Sequence, residues 1–172
     1  MTSATARQAV ILAGGLGTRL RPLTETMPKP LIPVAGRPLI VHTLEKLKRA
    51  GVEEVVIATS YLADQVEAAL GDGQRFVLKM IYLIEEKPLG TAGCLRELRD
   101  QLSGTFFMCN GDILSDADFS AVAAFHRAHG KLATMAVCPV EDTSRFGVVA
   151  LQGDQITTFV EKPAPEEAPS NL

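Results

Sequence analysis

The chain has 172 residues, a length that predicts one domain with a true hydrophobic core, since a chain of this size buries about 70% of its unfolded surface. Its composition of 47% hydrophobic and 22% charged residues excludes a disordered, collagen-like or disulfide-stapled protein. Its net charge of −3 argues against a non-specific nucleic-acid binder, because such proteins normally carry a basic excess.

The first half of the chain alternates between apolar runs typical of buried strands and segments with the apolar spacing of helices. Three prolines, Pro22, Pro28 and Pro30, exclude a regular helix from residue 21 to about residue 33. Predicted here, in chain order, are a strand at 9–13, a glycine-rich loop at 14–17, a helix at 38–50, a strand at 55–58 and a helix at 63–70.

The second half continues this alternation and ends in a hairpin, for which Gly153-Asp154 is a favourable turn. Predicted in order are a strand at 75–84, a helix at 90–102, a strand at 105–109, a helix from 115, a strand at 131–140 and strands at 146–151 and 156–160. Ser115 is expected to begin its helix, with Asp118 as its capping-box partner. The side chains of that helix expected to face the core are Phe119, Val122, Ala123 and Phe125.

Alternating strands and helices predict a mainly parallel sheet with helices on both faces, a three-layer α/β/α fold, and we assign residues 1–172 to a single domain. Such sheets bind ligands beyond the carboxyl ends of their strands. The glycine-rich loop follows the first predicted strand and Asp112 follows the fourth, so both are expected at the same edge of the sheet.

The glycine-rich loop at 14–17 has the chemistry of a phosphate-binding turn, because glycines let backbone amides approach phosphate oxygens closely. A dinucleotide fingerprint would need glycine where Leu20 stands, which disfavours a dehydrogenase-type binder, and the lysine of a Walker A loop is absent. The loop is followed instead by Arg19, Arg21 and the proline-flanked Lys29. The positively charged side chains near this loop therefore stand at other positions than in a dinucleotide-binding loop or a Walker A loop.

Five stretches carry a recognisable pattern, namely residues 14–24 with the Pro28-Lys29-Pro30 clamp, 88–93, 110–112, 146–148 and 159–163. In this order and at this spacing they resemble the signature of the sugar-1-phosphate nucleotidyltransferases, or nucleoside-diphosphate-sugar pyrophosphorylases, over essentially the whole chain. The resemblance implies a Rossmann-like domain of the glycosyltransferase-A-like type. It also implies the reaction of an NTP with a sugar-1-phosphate to give an NDP-sugar and pyrophosphate.

The same resemblance implies roles for individual residues. The nucleotide is expected to be bound by Gly14, Gly15, Gly17, Thr18 and Gly90. The catalytic residues implied are Arg19 at the leaving phosphates, Lys29 near the α-phosphate and Asp112 as the ligand of Mg²⁺, the implied cofactor. The sugar phosphate is expected to be bound by Gly147, Glu161 and Lys162.

Residues 86–93 look most like the mannose-1-phosphate guanylyltransferase branch, which favours GTP and mannose-1-phosphate as substrates. Glucose-1-phosphate thymidylyl- or uridylyltransferase activity stays open, and so does a nucleotide-sugar-binding regulatory or inactive form. Family catalytic domains usually continue beyond the position of Leu172, to a further sugar-contacting segment and a second metal-binding aspartate. Activity of this shortened chain, and its assembly into a homo-oligomer, are therefore open questions.

No apolar run approaches the roughly 18 residues of a membrane span, and the stretch at 9–13 is too brief for the core of a signal peptide. The three cysteines, Cys94, Cys109 and Cys138, lack zinc or redox spacing, and free thiols fit a reducing compartment. We therefore expect a cytoplasmic protein without membrane or nucleic-acid partners.

Overall fold

The computed structural model describes residues 6–85, 90 and 92–172, and the chain divides into two compact units. The first unit extends to Gly130, and the second runs from Lys131 to Leu172. The first unit contains a parallel sheet with its helices, and the second contains an antiparallel hairpin.

A parallel sheet of four strands forms the centre of the first unit. The strands of this unit are β1 (Gln8–Leu12), β2 (Pro33–Val34), β3 (Arg37–Pro38), β4 (Glu54–Thr59), β5 (Lys79–Ile84) and β6 (Phe106–Asn110). β2 and β3 pair as a small antiparallel ribbon, and the other strands form the sheet in the order β5-β4-β1-β6. The chain thus adds strands on one side of β1 and then crosses to the other, so the strand order reverses at β1.

Helices and short helical turns connect these strands. The α-helices are α1 (Leu23–Thr26), α2 (Leu39–Arg49), α3 (Ala63–Leu70), α4 (Cys94–Leu98) and α5 (Phe119–His129). Turns of 3₁₀ helix lie at Thr18–Leu20, Lys29–Leu31 and Gln74–Phe76. Among the described helices, none is long and apolar enough to cross a membrane.

The sheet is covered by helices on both faces. On one face, Leu44 of α2 belongs to the same fully buried cluster as Ile11 of β1. On the other face, Leu98 of α4 packs with Val10 of β1. Because successive residues of a strand point to opposite faces, a strand buried on both faces needs consecutive apolar residues, and the three buried residues of β1, at positions 9–11, are all apolar. The predicted mainly parallel, three-layer arrangement is confirmed.

Two of the predictions for residues 21–84 are wrong. The stretch expected to lack regular helix contains one helical turn, α1, which directly follows Pro22. The strand predicted at 75–84 begins only at Lys79, since a 3₁₀ turn and the left-handed Val77, with a φ of +56°, precede it. Gly73 approaches that turn so closely that a Cβ would lie 2.4 Å from the carbonyl oxygen of Leu78.

The helix predicted at 90–102 is confined in the structure to Cys94–Leu98. Residues 86–89 and 91, which belong to the predicted nucleobase loop, lie outside the described residues. After Leu98 the chain forms a hydrogen-bonded turn, in which the N–H groups of Gln101 and Leu102 both donate to the carbonyl of Leu98 at 2.9 Å, so the helix ends before the loop that leads to β6.

The predicted start of the α5 helix is also wrong. Asp118 is its N-cap, and its carboxylate accepts hydrogen bonds from the backbone N–H groups of Ser120 and Ala121 at 2.9 and 3.1 Å. The helix therefore begins after Asp118, and Ser115 lies in the preceding loop. Of the side chains expected to face the core, Ala123 is buried, whereas Phe125 is 43% exposed, contrary to the prediction. Phe119 and Val122 are half-buried.

In the second unit, β7 (Gly147–Gln152) and β8 (Gln155–Glu161) form the predicted hairpin. Gly153 at its tip has a φ of +58°, a conformation that glycine adopts without a steric penalty. Two turns of 3₁₀ helix flank the hairpin, at Thr143–Arg145 and Pro165–Glu167.

The strand predicted at 131–140 is wrong. A strand needs a hydrogen-bonded neighbour along its length, and none of these residues takes part in a ladder with another described residue. The backbone N–H of Val140 donates instead to the carbonyl of Asn171 at 2.8 Å. The apolar alternation that suggested a strand is left unburied, and Leu132 is fully exposed.

The three cysteines differ in exposure, since Cys94 is buried, Cys109 is half-buried and Cys138 is exposed. Burial raises the pKa of the Cys109 thiol to about 11, and burial also raises the pKa of Cys94. Both thiols therefore stay protonated at neutral pH, and the thiolate is the form that reacts with electrophiles.

We expect iodoacetamide at neutral pH to label Cys138 first in the native protein, whereas all three thiols react after unfolding in guanidinium. Mass spectrometry of the peptides at successive times measures the order. Equal labelling rates for Cys138 and Cys109 in the native protein would show that burial does not protect the β6 thiol.

Candidate functional site

A cavity of about 240 Å³ opens at the carboxyl edge of the sheet, next to the point where the strand order reverses. In open parallel sheets this is the position where ligands bind. The lining residues come from the ends of β1 and β6 and from the proline-flanked lysine turn. They are Leu12, Ala13, Gly14, Gly15, Lys29, Pro30, Asn110 and Asp112. The structure thus brings the glycine-rich loop and Asp112 to one edge, as predicted.

The glycine-rich loop presents free backbone donors beside this cavity. In the described part of the chain, none of the backbone N–H groups of residues 14–19 donates a hydrogen bond. Gly17 has a φ of +59°, and a Cβ at this position would lie 2.8 Å from Cγ2 of Thr24. Only glycine fits there without strain, so the loop owes its shape to that residue. Free amides in a glycine turn form a concave site for an anion.

Residues to which the sequence analysis assigned no role hold this loop in place. Thr24 is buried, and its hydroxyl donates to the carbonyl of Gly17 at 2.9 Å. The hydroxyl of Tyr61 donates to the carbonyls of Thr24 and Glu25, each at 3.1 Å. Ser60 donates to the carbonyl of Gly14 at 3.0 Å. The available signal was positional, because Ser60 and Tyr61 follow β4, the strand beside β1.

The lysine and the aspartate of the cavity are paired with each other. The Nζ of Lys29 donates to Oδ2 of Asp112 at 2.7 Å, and the two side chains are 29% and 37% exposed. Asp112 reaches this position because Gly111 packs against β1, donating its N–H to the carbonyl of Leu12 at 2.8 Å. A Cβ on Gly111 would lie 3.0 Å from Ile11, so the close approach favours glycine. The cavity wall thus holds a cationic and an anionic side chain in direct contact.

The donor set at this edge is small. Among the described residues, no group of three or more His, Cys, Asp or Glu side chains could hold a metal ion. Asp112 is the carboxylate in the cavity wall. One carboxylate does not form a metal cage, but it fits Mg²⁺, which usually binds through one or two carboxylates together with substrate phosphates and water.

Three further residues predicted near the nucleotide, Thr18, Arg19 and Gly90, are not among the lining residues of the cavity. Thr18 and Arg19 are exposed in the 3₁₀ turn that follows Gly17. Gly90 is exposed with a φ of +79°, and its neighbours at 86–89 and 91 lie outside the described residues. The roles expected for Thr18, Arg19 and Gly90 therefore stay predictions.

The second unit brings its three predicted residues together. Gly147 of β7 pairs in register with Glu161 of β8, and a Cβ on Gly147 would lie 2.9 Å from Oε2 of Glu161. Lys162 follows with a φ of +48°, unusual for a residue with a side chain, and its Nζ lies 3.4 Å from Oε1 of Glu161. The Lys162 N–H donates to the carbonyl of Phe146 at 2.9 Å. The hairpin end thus presents a carboxylate and an ammonium group side by side.

Comparison with known proteins identifies relatives for nearly the whole chain. The profile of the family described as "Nucleotidyl transferase" matches residues 8–172. The "Mannose-1-phosphate guanylyltransferase catalytic subunit beta" of Xenopus tropicalis is 43% identical over 162 residues, which are 91% of this chain and 45% of the relative. The "Mannose-1-phosphate guanyltransferase" of Schizosaccharomyces pombe is 42% identical over 163 residues, with the same coverage of 91% and 45%.

A solved structure is also similar over most of the chain. It is described as a glucose-1-phosphate thymidylyltransferase from Bacillus anthracis in complex with sucrose. Its TM-score is 0.86 at 32% identity, and the match covers 95% of this chain and 67% of that one. This similarity agrees with the Rossmann-like sheet found here. Against the two curated relatives, the present chain spans a little under half of their length.

Proposed function

Because the chain belongs to the nucleotidyl transferase family, we propose that it transfers a nucleotidyl group from an NTP to a sugar-1-phosphate and releases pyrophosphate. The observation that carries this proposal is the cavity at the carboxyl edge of the sheet, where free loop amides adjoin Lys29 and Asp112. These groups provide donors, positive charge and one carboxylate, which is what a polyphosphate with a divalent cation requires.

The proposed reaction requires positive charge and alignment from the protein, but no general base. An oxygen of the sugar phosphate attacks the α-phosphorus, the bond from that phosphorus to the bridging oxygen breaks, and pyrophosphate leaves with the electron pair. The sugar phosphate has a second pKa of about 6, as phosphate monoesters do, so it is mostly dianionic at neutral pH. A general base is therefore unnecessary. The barrier comes from bringing one anion to another in line, and positive charge and alignment lower it.

Within the first unit, the amides of Gly14, Gly15 and Gly17 would donate to the nucleotide phosphates. Lys29 would neutralise charge near the α-phosphate, and Arg19 would reach the departing β- and γ-phosphates. Two observations support these roles: the loop amides donate no hydrogen bond to any residue that the structure describes, and Lys29 lies in the cavity wall. Arg19 is exposed in the turn that directly follows Gly17, which places its side chain next to the loop proposed to bind the phosphates.

Asp112 would hold Mg²⁺, and its single carboxylate fits a cation that arrives with a polyphosphate. Mg²⁺, when bound, would neutralise phosphate charge and orient the phosphates for in-line attack. In the second unit, Glu161 and the Gly147 backbone would bond sugar hydroxyls, and Lys162 would bind the sugar phosphate. The side-by-side placement of these residues at the hairpin end supports that assignment.

We further propose GTP and mannose-1-phosphate as the substrates. Two relatives with more than 40% identity bear the name of that activity, and the family-specific loop at 86–93 has the residues of that branch. A thymidylyltransferase reaction with glucose-1-phosphate is the second candidate, because the similar solved structure carries that description. The free thiols of Cys94, Cys109 and Cys138 support a reducing, cytoplasmic location.

The test is a grid of pyrophosphate-release assays on the purified chain with Mg²⁺. Five nucleotides (GTP, dTTP, UTP, CTP and ATP) are each combined with mannose-, glucose- or N-acetylglucosamine-1-phosphate. We expect the largest signal from GTP with mannose-1-phosphate, and none when the sugar phosphate is omitted. A maximum at dTTP with glucose-1-phosphate would replace the first candidate with the second. Silence across the grid, with the protein folded by circular dichroism, would contradict catalysis by this chain.

A further inference from the structure

The ion pair between Lys29 and Asp112 joins the two side chains that the proposed function assigns to different ligands. Lys29 would serve a phosphate and Asp112 would serve a divalent cation, yet in the structure their charged atoms lie 2.7 Å apart. The contact is a direct hydrogen bond between a donor and an acceptor that both line the cavity. Neither group can meet its proposed ligand fully while this bond persists.

We propose that Lys29 occupies the cation position of Asp112 in the ligand-free protein, so that a divalent cation and a polyphosphate bind in a coupled manner. This inference rests on the proposed function of the same cavity. The polyphosphate draws Lys29 away from Asp112, and the freed carboxylate receives the cation. Each ligand thereby removes the group that excludes the other, and the affinity for either one rises when the other is present.

The charges at the site make binding of either ligand alone unfavourable. A divalent cation approaching Asp112 meets the ammonium of Lys29 within a few ångströms, and like charges at that distance repel. A polyphosphate approaching Lys29 meets the carboxylate of Asp112 in the same way. When both ligands arrive together, each of the four charged partners faces an opposite charge. The pair therefore separates at little cost only when both ligands are present.

The small donor set adds a second reason for coupling. Among the described residues, no cluster of acidic or imidazole side chains could retain a metal ion by itself. Asp112 can supply only part of a coordination shell, and phosphate oxygens must supply more of it. A cation held this way stays only as long as the polyphosphate does.

The first test measures binding of Mn²⁺ alone, by the loss of the free-ion signal in electron paramagnetic resonance. Lys29→Met removes the ammonium and keeps an unbranched side chain that is one heavy atom shorter. We expect it to bind Mn²⁺ roughly five- to tenfold more tightly than the original protein, since both a partner and a repelling charge are lost. Adding Asp112→Asn to Lys29→Met is expected to abolish this gain.

The chain offers a matched control in Lys79→Met. Lys79 pairs with Glu54 at 2.7 Å, the same distance, at the amino ends of β4 and β5, which is the opposite edge of the sheet. This substitution makes the same change in net charge and also frees a carboxylate. We expect its Mn²⁺ affinity to equal that of the original protein. An equal gain in Lys79→Met and Lys29→Met would overturn the proposal, because the effect would then be one of general charge.

The second test measures the binding of a polyphosphate in the absence of a divalent cation. The probe is inorganic tripolyphosphate, which has no nucleobase, and its binding is measured by calorimetry in the presence of a chelator. Asp112→Asn leaves Lys29 without its partner and is expected to bind tripolyphosphate more tightly than the original protein. Asp116→Asn, a nearby exposed aspartate outside the cavity wall, serves as the charge control. Equal binding by Asp112→Asn and Asp116→Asn would overturn the coupling.

Thermal unfolding of each variant by circular dichroism separates these effects from loss of the fold. The outcomes of these binding tests can also be distinguished from the outcomes of the substrate grid. Unchanged Mn²⁺ affinity in Lys29→Met would overturn the coupling even if the grid shows turnover. A silent grid with the expected binding changes would contradict the proposed catalysis and leave the coupling supported.

Discussion

Replacing Lys29 with methionine is expected to reduce the rate of pyrophosphate release by about 100-fold or more, which is the usual effect of removing one group that stabilises developing charge. Lys29 lines the cavity, and the proposed reaction brings a dianionic sugar phosphate against a polyphosphate. The ammonium would offset this repulsion as the new bond forms. The measurement is the steady-state rate with the substrate pair that gives the largest signal in the grid.

The control for this prediction is again Lys79→Met, which removes a lysine from an ion pair far from the cavity. It is expected to turn over within about twofold of the original rate, since exposed pairs contribute little to stability. Arg19→Ala is expected to lose turnover as well, if Arg19 reaches the leaving phosphates. Normal turnover in Lys29→Met would show that the phosphate site has been assigned to the wrong residues.

The second large effect is expected for Gly17→Ala. The φ of +59° costs a residue with a side chain about 1–2 kcal/mol. The new Cβ would lie 2.8 Å from Cγ2 of the buried Thr24, and such overpacking costs a further 1–3 kcal/mol or so. Together these terms predict a fall in melting temperature of the order of 10 °C for a chain of this size. The hydrogen bond from Thr24 to the Gly17 carbonyl would be distorted at the same time.

Gly15→Ala is the matched control, because it adds the same methyl group to the same loop. Gly15 is exposed, and a Cβ there would have no neighbour within 4 Å. Its melting temperature is expected to stay within about 2 °C of the original, as for ordinary surface substitutions. Differential scanning calorimetry measures both variants. Equal destabilisation by the two substitutions would mean that the loop lacks the left-handed turn at Gly17.

The local pattern of the sequence predicted most elements of the first unit. The apolar run at 9–13 and the helix at 63–70 agree with β1 and α3 to within one residue. Such elements can be predicted because their signals are local: a continuous apolar run indicates a strand buried on both faces, and apolar residues spaced three or four apart indicate a helix. The predicted strand at 131–140 is wrong for the corresponding reason. Its alternation is compatible with a strand, but a strand also needs a partner, which local periodicity does not specify.

The main components of the candidate site were predictable from the sequence. A glycine loop after one strand and an aspartate after another must meet at the carboxyl edge of a parallel sheet, and the cavity lies there. The supports of the loop were not predictable, because the bond between Tyr61 and Thr24 joins positions 37 residues apart. Its existence depends on how the segment after β4 packs against the turn after the glycine loop.

The sequence by itself determined the family, the order of strands and helices in the first unit, and the chemical types available at the phosphate site. These properties depend on local spacing and residue identity, which are present before the chain folds. Only the tertiary structure decided that Lys29 and Asp112, 83 residues apart, form one ion pair. That contact requires β6 to lie beside β1 and the proline-flanked turn to fold over both strand ends. The pairing of strands and the packing of loops are set by the whole core, so no single segment encodes them.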